Sequence, residues 1–329
     1  MNPRRVRVRE GHAKELAPRP DPQLSTVRDI VTYAAVRFKK AKIHFGHGTS
    51  NPHDEAAYLV LCALGLPPHE LDDHLSRRLK SAERKNALDL IERRIVERTP
   101  AAYLTRQAWL TGHRFHVDER VIVPRSFIAE LLPDGLDLWL HNPERVGSIL
   151  DLCTGSGCLA ILAALAFPLA RVDAADLSTD ALAVAKRNVS DYRLGRRIDL
   201  VESNLFAGLK DGAYDLIISN PPYVDARSMR TLPDEYRKEP ELALAGGKGG
   251  LDIVHRILHD APGYLNPHGV LVVEIGHNRA ALEAAYPRLA FTWLTVNAGD
   301  DFVFLLTREQ IAVSSRTLRK SPPKRNPPK

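Results

Sequence analysis

The chain has 329 residues, 44% hydrophobic and 26% charged, which excludes a disordered chain, and its longest apolar run, Cys158 to Phe167, is too short to cross a bilayer. The net charge of +6 is unevenly placed: residues 1–50 carry eleven basic and four acidic side chains, residues 308–329 seven basic and one acidic, and the stretch between them carries −7. Basic ends of this kind suit weak contact with an anionic partner such as ribosomal RNA, or act only as solubilising tails. The three cysteines, Cys62, Cys153 and Cys158, form no C-x-x-C pair, so neither a disulfide framework nor a zinc site is expected. They read as small buried groups in a reducing compartment. No apolar stretch follows the basic start, so no secretory signal is expected and the chain reads as cytoplasmic.

Residues 1–22 contain four prolines and few apolar groups and read as a disordered arm. From Ser25 the spacing of Val27, Ile30, Val31, Ala34 and Phe38 predicts a helix, capped by Ser25 or Thr26. A second helix is expected over His53–Leu64, ended by Gly65. A third is expected from Ala82 to Glu97, capped by Ser81, with Leu88, Ile91 and Ile95 on one face and Pro100 beyond its end. Together these predict a small helical N-terminal domain over 23–108, read as a substrate-recognition module. Three extended pieces follow, Trp109-Leu110, Phe115–Val117 and Val121–Pro124, and predict a hairpin-like connector over 109–125. Helical turns are expected between Ser126 and Leu140, broken at Pro133-Asp134-Gly135.

From Val146 strands and helices alternate. Strands are expected at 147–153, 171–177, 198–202, 214–219, 269–275, 291–296 and 301–307, with helices at 157–166, 179–192, 249–263 and 278–286. Such alternation implies an α/β fold, a seven-stranded, mostly parallel sheet with helices on both faces. No helix separates the last two strands, and Asn297, Gly299 and Asp300 predict a hairpin, so the final strand should be antiparallel. This domain is expected to span 126–307, followed by a basic, disordered tail over 308–329.

Three motifs carry chemistry. Asp151-Leu-Cys153-Thr154-Gly155-Ser-Gly157-Cys158 follows a buried strand and opens a helix, where glycines permit a tight turn and close approach of a ligand. Taken alone, it is also compatible with a plain turn. Asp176 ends the next strand, where an acidic side chain can accept from both ribose hydroxyls; a helix-capping role near Ser178 is the other reading. Asn220-Pro221-Pro222-Tyr223 ends the fourth strand. Its prolines fix the backbone, so that the Pro221 carbonyl and the Asn220 side-chain oxygen can accept both hydrogens of one amino group, while Tyr223 packs on a planar group.

These elements resemble class I S-adenosylmethionine-dependent methyltransferases acting on planar amide or amino nitrogens. Further segments narrow the resemblance: Phe45-Gly-His-Gly-Thr49, Asp54-Glu-Ala-Ala-Tyr-Leu-Val-Leu61, Pro100-Ala-Ala-Tyr-Leu-Thr105, Val121-Ile-Val-Pro-Arg-Ser126 and Leu232 to Ala245. They are similar to the protein-glutamine methyltransferases, and within them to the N(5)-glutamine branch acting on large-subunit ribosomal protein L-three, over roughly residues 24–307. The sister branch, acting on peptide chain release factors, usually has Gly where this chain has Cys153 and Pro-Arg-Pro-Asp-Thr-Glu where it has Pro124-Arg-Ser-Phe-Ile-Ala129. Phe127 departs from the Pro usual in the ribosomal branch, which puts only fine loop geometry in doubt.

The resemblance implies S-adenosyl-L-methionine as methyl donor, bound by Asp151, Cys153, Thr154, Gly155, Gly157, Asp176, Asn204, Leu205 and Asn220. It implies Asn220, Pro221, Pro222 and Tyr223 as the catalytic corner and ribosomal protein L-three as the substrate, free or in an assembling particle. Because the transferred methyl is already activated and the proton can leave afterwards, no catalytic His or Cys and no metal are expected. Arg125 reads as a loop clamp, a partner for the donor's carboxylate, or a surface ion pair. Glu239-Pro240-Glu241 with Leu242–Leu244 reads as a wall of the substrate cleft or a structural turn. His255 and His259, four apart on a helix, could hold a metal but lack a third ligand, and His44 and His47 read as packing or loop residues. The alternatives are a release-factor methyltransferase, a nucleic-acid amino methyltransferase, and a non-enzymatic ribosome assembly factor.

Overall fold

A computed structural model of the chain describes residues 24–133, 136–210 and 212–312. The expectations for residues 1–22, for 313–329 of the tail and for the break at Asp134-Gly135 lie outside them. The chain divides into two compact units, one of residues 24–43 and 51–96 and one of 44–50 and 97–312.

In the first unit α1 spans Val27–Lys40, α2 Pro52–Ala63, α3 Leu71–His74 and α4 Ser81–Glu97. Thr26, not Ser25, is the N-cap of α1: its hydroxyl accepts from the Asp29 amide at 3.2 Å and Asp29 accepts from the Thr26 amide at 2.8 Å, a reciprocal box that satisfies two orphan donors. Asn51 caps α2, its side-chain oxygen accepting from the Asp54 amide at 2.9 Å. The apolar face of α1 packs on α2, burying Val27, Ile30, Ala34 and Phe38 with Leu59 and Val60. Ser81 is the first residue of α4 rather than its cap, and the buried face is Ala87, Ile91 and Arg94, with Leu88 and Ile95 at its margins. Arg94 points inward because Glu55 of α2 receives it at 2.6 Å, both side chains almost fully buried. The turn at Pro68–Glu70 and α3 were not anticipated; they are too short to show a period.

In the second unit α5 (Ala101–Thr105) leads into β1 (Gln107–Leu110) and β2 (His113–His116), an antiparallel hairpin around Thr111-Gly112. The third extended piece, Val121–Pro124, is a correction: it joins no strand. Val121 and Val123 face inward all the same, sharing a buried cluster with Ala102, Tyr103, Ala108, Val117, Ala181 and Val184. That packing is why residues 97–108 belong with this unit and not with the helices before them. Among the described residues of the next stretch only α6 (Ile128–Leu131) is helical; residues 136–139 are turns.

The main sheet contains β3 (Ser148–Leu152), β4 (Arg171–Asp176), β5 (Ile198–Glu202), β6 (Tyr214–Ser219), β7 (Leu265–Glu274), β8 (Thr292–Val296) and β9 (Gly299–Thr307). Their order is β5-β4-β3-β6-β7-β9-β8. All neighbours are parallel except β9, which lies antiparallel to both β7 and β8, as the predicted hairpin required. Helices α7 (Cys158–Ala166), α8 (Thr179–Asp191), α9 (Ala226–Arg230), α10 (Asp252–Asp260) and α11 (Arg279–Ala285) connect the strands. Alternate strand residues enter opposite cores. Ile149, Val172, Leu216 and Val270 meet α7 on one face; Leu150, Ile217, Leu271 and Phe304 meet α10 on the other. Burial on both faces explains why these strands read as continuous apolar runs. Among the described residues no helix is long and apolar enough to cross a membrane.

Candidate active site

The chain winds outward from β3 through β4 to β5, then returns to place β6 on the other side of β3. That reversal opens a crevice beyond the carboxyl ends of β3 and β6, the usual ligand position in such sheets. A cleft open to solvent lies there. Cys153, Gly155, Asp176, Asn204, Leu205, Asn220 and Pro222 line it, with Val121, Ile122, Pro240 and Leu242. Four strand ends, distant in sequence, thus meet at one site because the parallel sheet aligns their termini.

The β3 loop is held from behind. Asp151 is fully buried; its Oδ2 accepts from the Thr154 hydroxyl at 2.5 Å and from the Ala160 amide at 2.9 Å, which locks the turn onto the first turn of α7. Burial raises the Asp151 carboxyl to about 7 against those two donors. Asp151 and Thr154 therefore support the loop and do not line the cleft. Gly157 also lies outside the lining: it is the N-cap of α7 at φ +78°, where a Cβ would stand 3.1 Å from the Ala185 Cβ. At Gly155 nothing lies within 4 Å of where a Cβ would be, so the backbone faces open space. Cys153 and Leu205 adopt left-handed backbone, φ 61° and 56°, at the ends of β3 and β5. Non-glycine residues in that region store about 1–3 kcal/mol of strain and cluster at ligand sites. Cys62, Cys153 and Cys158 stand in no disulfide among the described residues, and burial pushes the Cys153 thiol well above its ordinary range.

Asp176 faces the cleft with each oxygen holding one backbone amide, Gly155 at 2.8 Å and Ser178 at 2.9 Å. The helix cap is Ser178 itself, which accepts from the Ala181 amide, so the capping reading of Asp176 does not hold. Burial raises the Asp176 carboxyl despite the two amides. Each oxygen keeps a lone pair free for a further donor. Asn204 Oδ1 accepts from Arg256 at 2.8 Å. These features fit a nucleoside: a carboxylate for vicinal hydroxyls, open backbone at Gly155, and apolar Leu205, Ala175 and Ile253 for a flat base.

Asn220 differs from its neighbours. It lines the cleft, and among the described residues its carboxamide has no hydrogen-bond partner. Pro221 is buried beside it and Pro222 lines the cleft. Ser219, one residue earlier, donates to the Leu152 carbonyl at 2.9 Å and so ties the ends of β6 and β3 together. Tyr223 does not line the cleft; its hydroxyl turns to Glu274, 3.3 Å away.

Arg125 sits in no surface pair: both its terminal nitrogens bond the buried Glu239, at 2.5 and 2.7 Å, so it holds the chain that follows Glu239 from behind. Glu239 also accepts from the Val123 amide at 2.9 Å, with buried His47 at 3.5 Å. Burial alone would raise the Glu239 carboxyl, but Arg125 and His47 outweigh it and hold it at about 2. Glu239 thus anchors one cleft wall, Pro240–Ala245, to the other, Val121-Ile122. His44 and His47 pack against Tyr236. His255 contacts the Tyr286 hydroxyl at 2.9 Å, while His259 is exposed beside Asp260.

Sequence reasoning missed Glu274 and the Arg125–Glu239 pair. A glutamate closing the apolar run Gly269–Ile275 was the available signal for the first. For the second there was none, since the partners lie 114 residues apart.

The methyltransferase small domain family model matches residues 129–233. The chain is 58% identical over 289 residues to a ribosomal protein uL3 glutamine methyltransferase of Bordetella pertussis, covering 88% of this chain and 97% of that one. Proteins of the same name from Neisseria meningitidis serogroup B and Burkholderia pseudomallei are 59% and 58% identical, covering 88% and 87% of this chain and 95% of each relative.

Proposed function

This chain belongs to the family of ribosomal protein uL3 glutamine methyltransferases, and from that premise we propose that it transfers a methyl group from S-adenosylmethionine to the side-chain amide nitrogen of a glutamine in uL3. The observation that carries the reading is Asn220, whose carboxamide has no hydrogen-bond partner among the described residues, in the lining of the cleft with Pro222 and Asp176. S-adenosylmethionine, when bound, supplies a methyl group activated by a sulfonium sulfur.

The chain's own task is to place a poor nucleophile. A carboxamide nitrogen shares its lone pair with its carbonyl, so the site must orient it and exclude water. The Asn220 side-chain oxygen and the Pro221 carbonyl accept the two amide hydrogens, which fixes the plane of the group and turns its nitrogen toward the cleft. Orientation of this kind is worth about 7–11 kcal/mol of barrier. The same two oxygens stabilise positive charge building on the nitrogen. Asp176 holds the ribose hydroxyls, Asn204 and Leu205 the adenine, and Gly155 admits the ligand to the β3 loop. Asp151, Thr154 and Gly157 act from behind by fixing that loop. The proton leaves after transfer, so no strong base is required.

A labelled-methyl assay with unmethylated uL3, a release factor and duplex DNA side by side tests the reading. Label should enter uL3, and mass spectrometry should place one added methyl on a glutamine. Asn220→Ala should remove transfer while S-adenosylhomocysteine still binds. Label entering the release factor or DNA in preference to uL3 would refute the assignment.

A further inference from the structure

Tyr223 follows the amide-binding corner but is turned away from the cleft and is held on every side. Its hydroxyl donates to Glu274 Oε1 at 3.3 Å, and its carbonyl accepts from Asn278 Nδ2 at 3.0 Å. A Cβ at Gly246 would lie 2.7 Å from the Tyr223 Cα, and one at Gly276 2.7 Å from the ring Cε2, so the residue fills space that only glycines leave. The next residue, Val224, exchanges backbone hydrogen bonds with the cleft wall, its amide to Leu244 and its carbonyl from Gly246, at 2.9 and 2.8 Å.

Glu274 is buried at the carboxyl end of β7. Its second oxygen accepts from the Ser126 hydroxyl at 2.7 Å and the Phe127 amide at 2.9 Å. One carboxylate therefore gathers three donors from two segments. Burying a carboxyl group, neutral or ionised, costs free energy, and an apolar side chain would close this strand end more cheaply. What the carboxylate adds is direction: it fixes where Tyr223 and Ser126 stand relative to each other. Ser126 follows Arg125, whose partner Glu239 anchors the wall. The two buried glutamates thus tie the corner and the wall to one short stretch, Val123–Phe127.

We propose that Glu274 is a positioning residue for the methyl transfer, holding the Asn220–Pro222 corner in place through Tyr223 and tying it to Ser126. This rests on the reading of that corner as the amide-binding element.

The test uses the full chain, unmethylated uL3 and S-adenosylmethionine, and measures kcat, KM for uL3 and the Kd of S-adenosylhomocysteine. Glu274→Ala and Tyr223→Phe should each lower kcat about tenfold or more with donor-site affinity within about twofold, and together should cost little beyond the worse of the two. Glu274→Gln, which keeps an acceptor for Ser126 and a partner for the tyrosine hydroxyl, should restore kcat to within about threefold of wild type. Should Glu274→Ala not fold, Tyr223→Phe against Glu274→Gln makes the same comparison. Glutamine as damaging as alanine would mean proton transfer and overturn the proposal. So would wild-type kcat in Tyr223→Phe, or additive losses in the double variant. An Asn220→Ala arm separates the two levels: if it is active, the corner itself is misread; if it is inactive while Tyr223→Phe is not, the positioning role alone fails.

Discussion

Asp176 shows what a single side chain does in this cleft. Its two oxygens already organise the β3 loop and the start of α8 by taking the Gly155 and Ser178 amides. They are therefore fixed in direction before any ribose arrives, and no rotamer freedom remains to be lost on binding. Hydrogen bonds to a charged acceptor contribute about 1.5–3 kcal/mol each. Asp176→Ala should raise the Kd of S-adenosylhomocysteine by at least roughly 10- to 100-fold, the worth of one such bond, and by more if both are lost, while kcat at saturating donor changes far less. Titration calorimetry checks the first part, and an unaltered Kd would remove Asp176 from the ribose site. Most of this residue-level chemistry was legible because it follows strand ends: Gly155, Asp176 and Asn220 announce themselves by chain position after apolar runs. Tyr223 was misleading for the same reason. Its place after the prolines suggested a wall for a planar group, whereas its partner Glu274, 51 residues away, turns it backward. A long-range hydrogen bond leaves no local pattern in a sequence.

At the scale of elements, the alternation from β3 to β9 was readable because strands buried on both faces form apolar runs and helices punctuate them. Val121–Val123 misled because β-branched residues suit a strand, yet their backbone finds no ladder and their side chains fill a core with Tyr103 and Val184. The cleft walls themselves are irregular chain, and irregular chain needs side-chain anchors. Glu239 is that anchor, joining Arg125, the Val123 amide and His47. Removing one partner of a buried pair costs about 3–5 kcal/mol, because the other charge is left unpaired. Arg125→Met should therefore lower stability by roughly that amount in urea unfolding. Arg125→Met/Glu239→Gln, which leaves no orphan charge, should recover at least about half of it. If the double variant is as unstable as the sum of the singles, the pair is not the anchor.

Across the whole molecule, buried carboxylates of opposite character set how stability depends on pH. Glu274 and Asp151 are raised by burial to about 7, above their unfolded values near 4. For such groups the folded state holds the proton more tightly. Their contribution to stability is complete below the unfolded pKa and is lost as pH rises through about 7. Glu239, held at about 2 by Arg125 and His47 against burial, has the reverse sign. It stabilises above its unfolded value and loses that contribution as pH falls toward 2. The trends cross near the unfolded carboxyl values, so these three groups together favour the fold most near pH 4, and their contribution declines from there through about pH 7, on the acidic side of the usual optimum. At about 1.4 kcal/mol per pKa unit, Glu274 alone accounts for roughly 3 kcal/mol of that decline. Urea midpoints measured from pH 3 to pH 8 check the shape, and Glu274→Gln, which cannot ionise, should flatten the fall between about pH 4 and pH 7 while leaving the acid limb unchanged. A midpoint that climbs from pH 5 to pH 8 in the wild type would mean that these two carboxyls are ionised in the fold, and that the donors around them outweigh their burial.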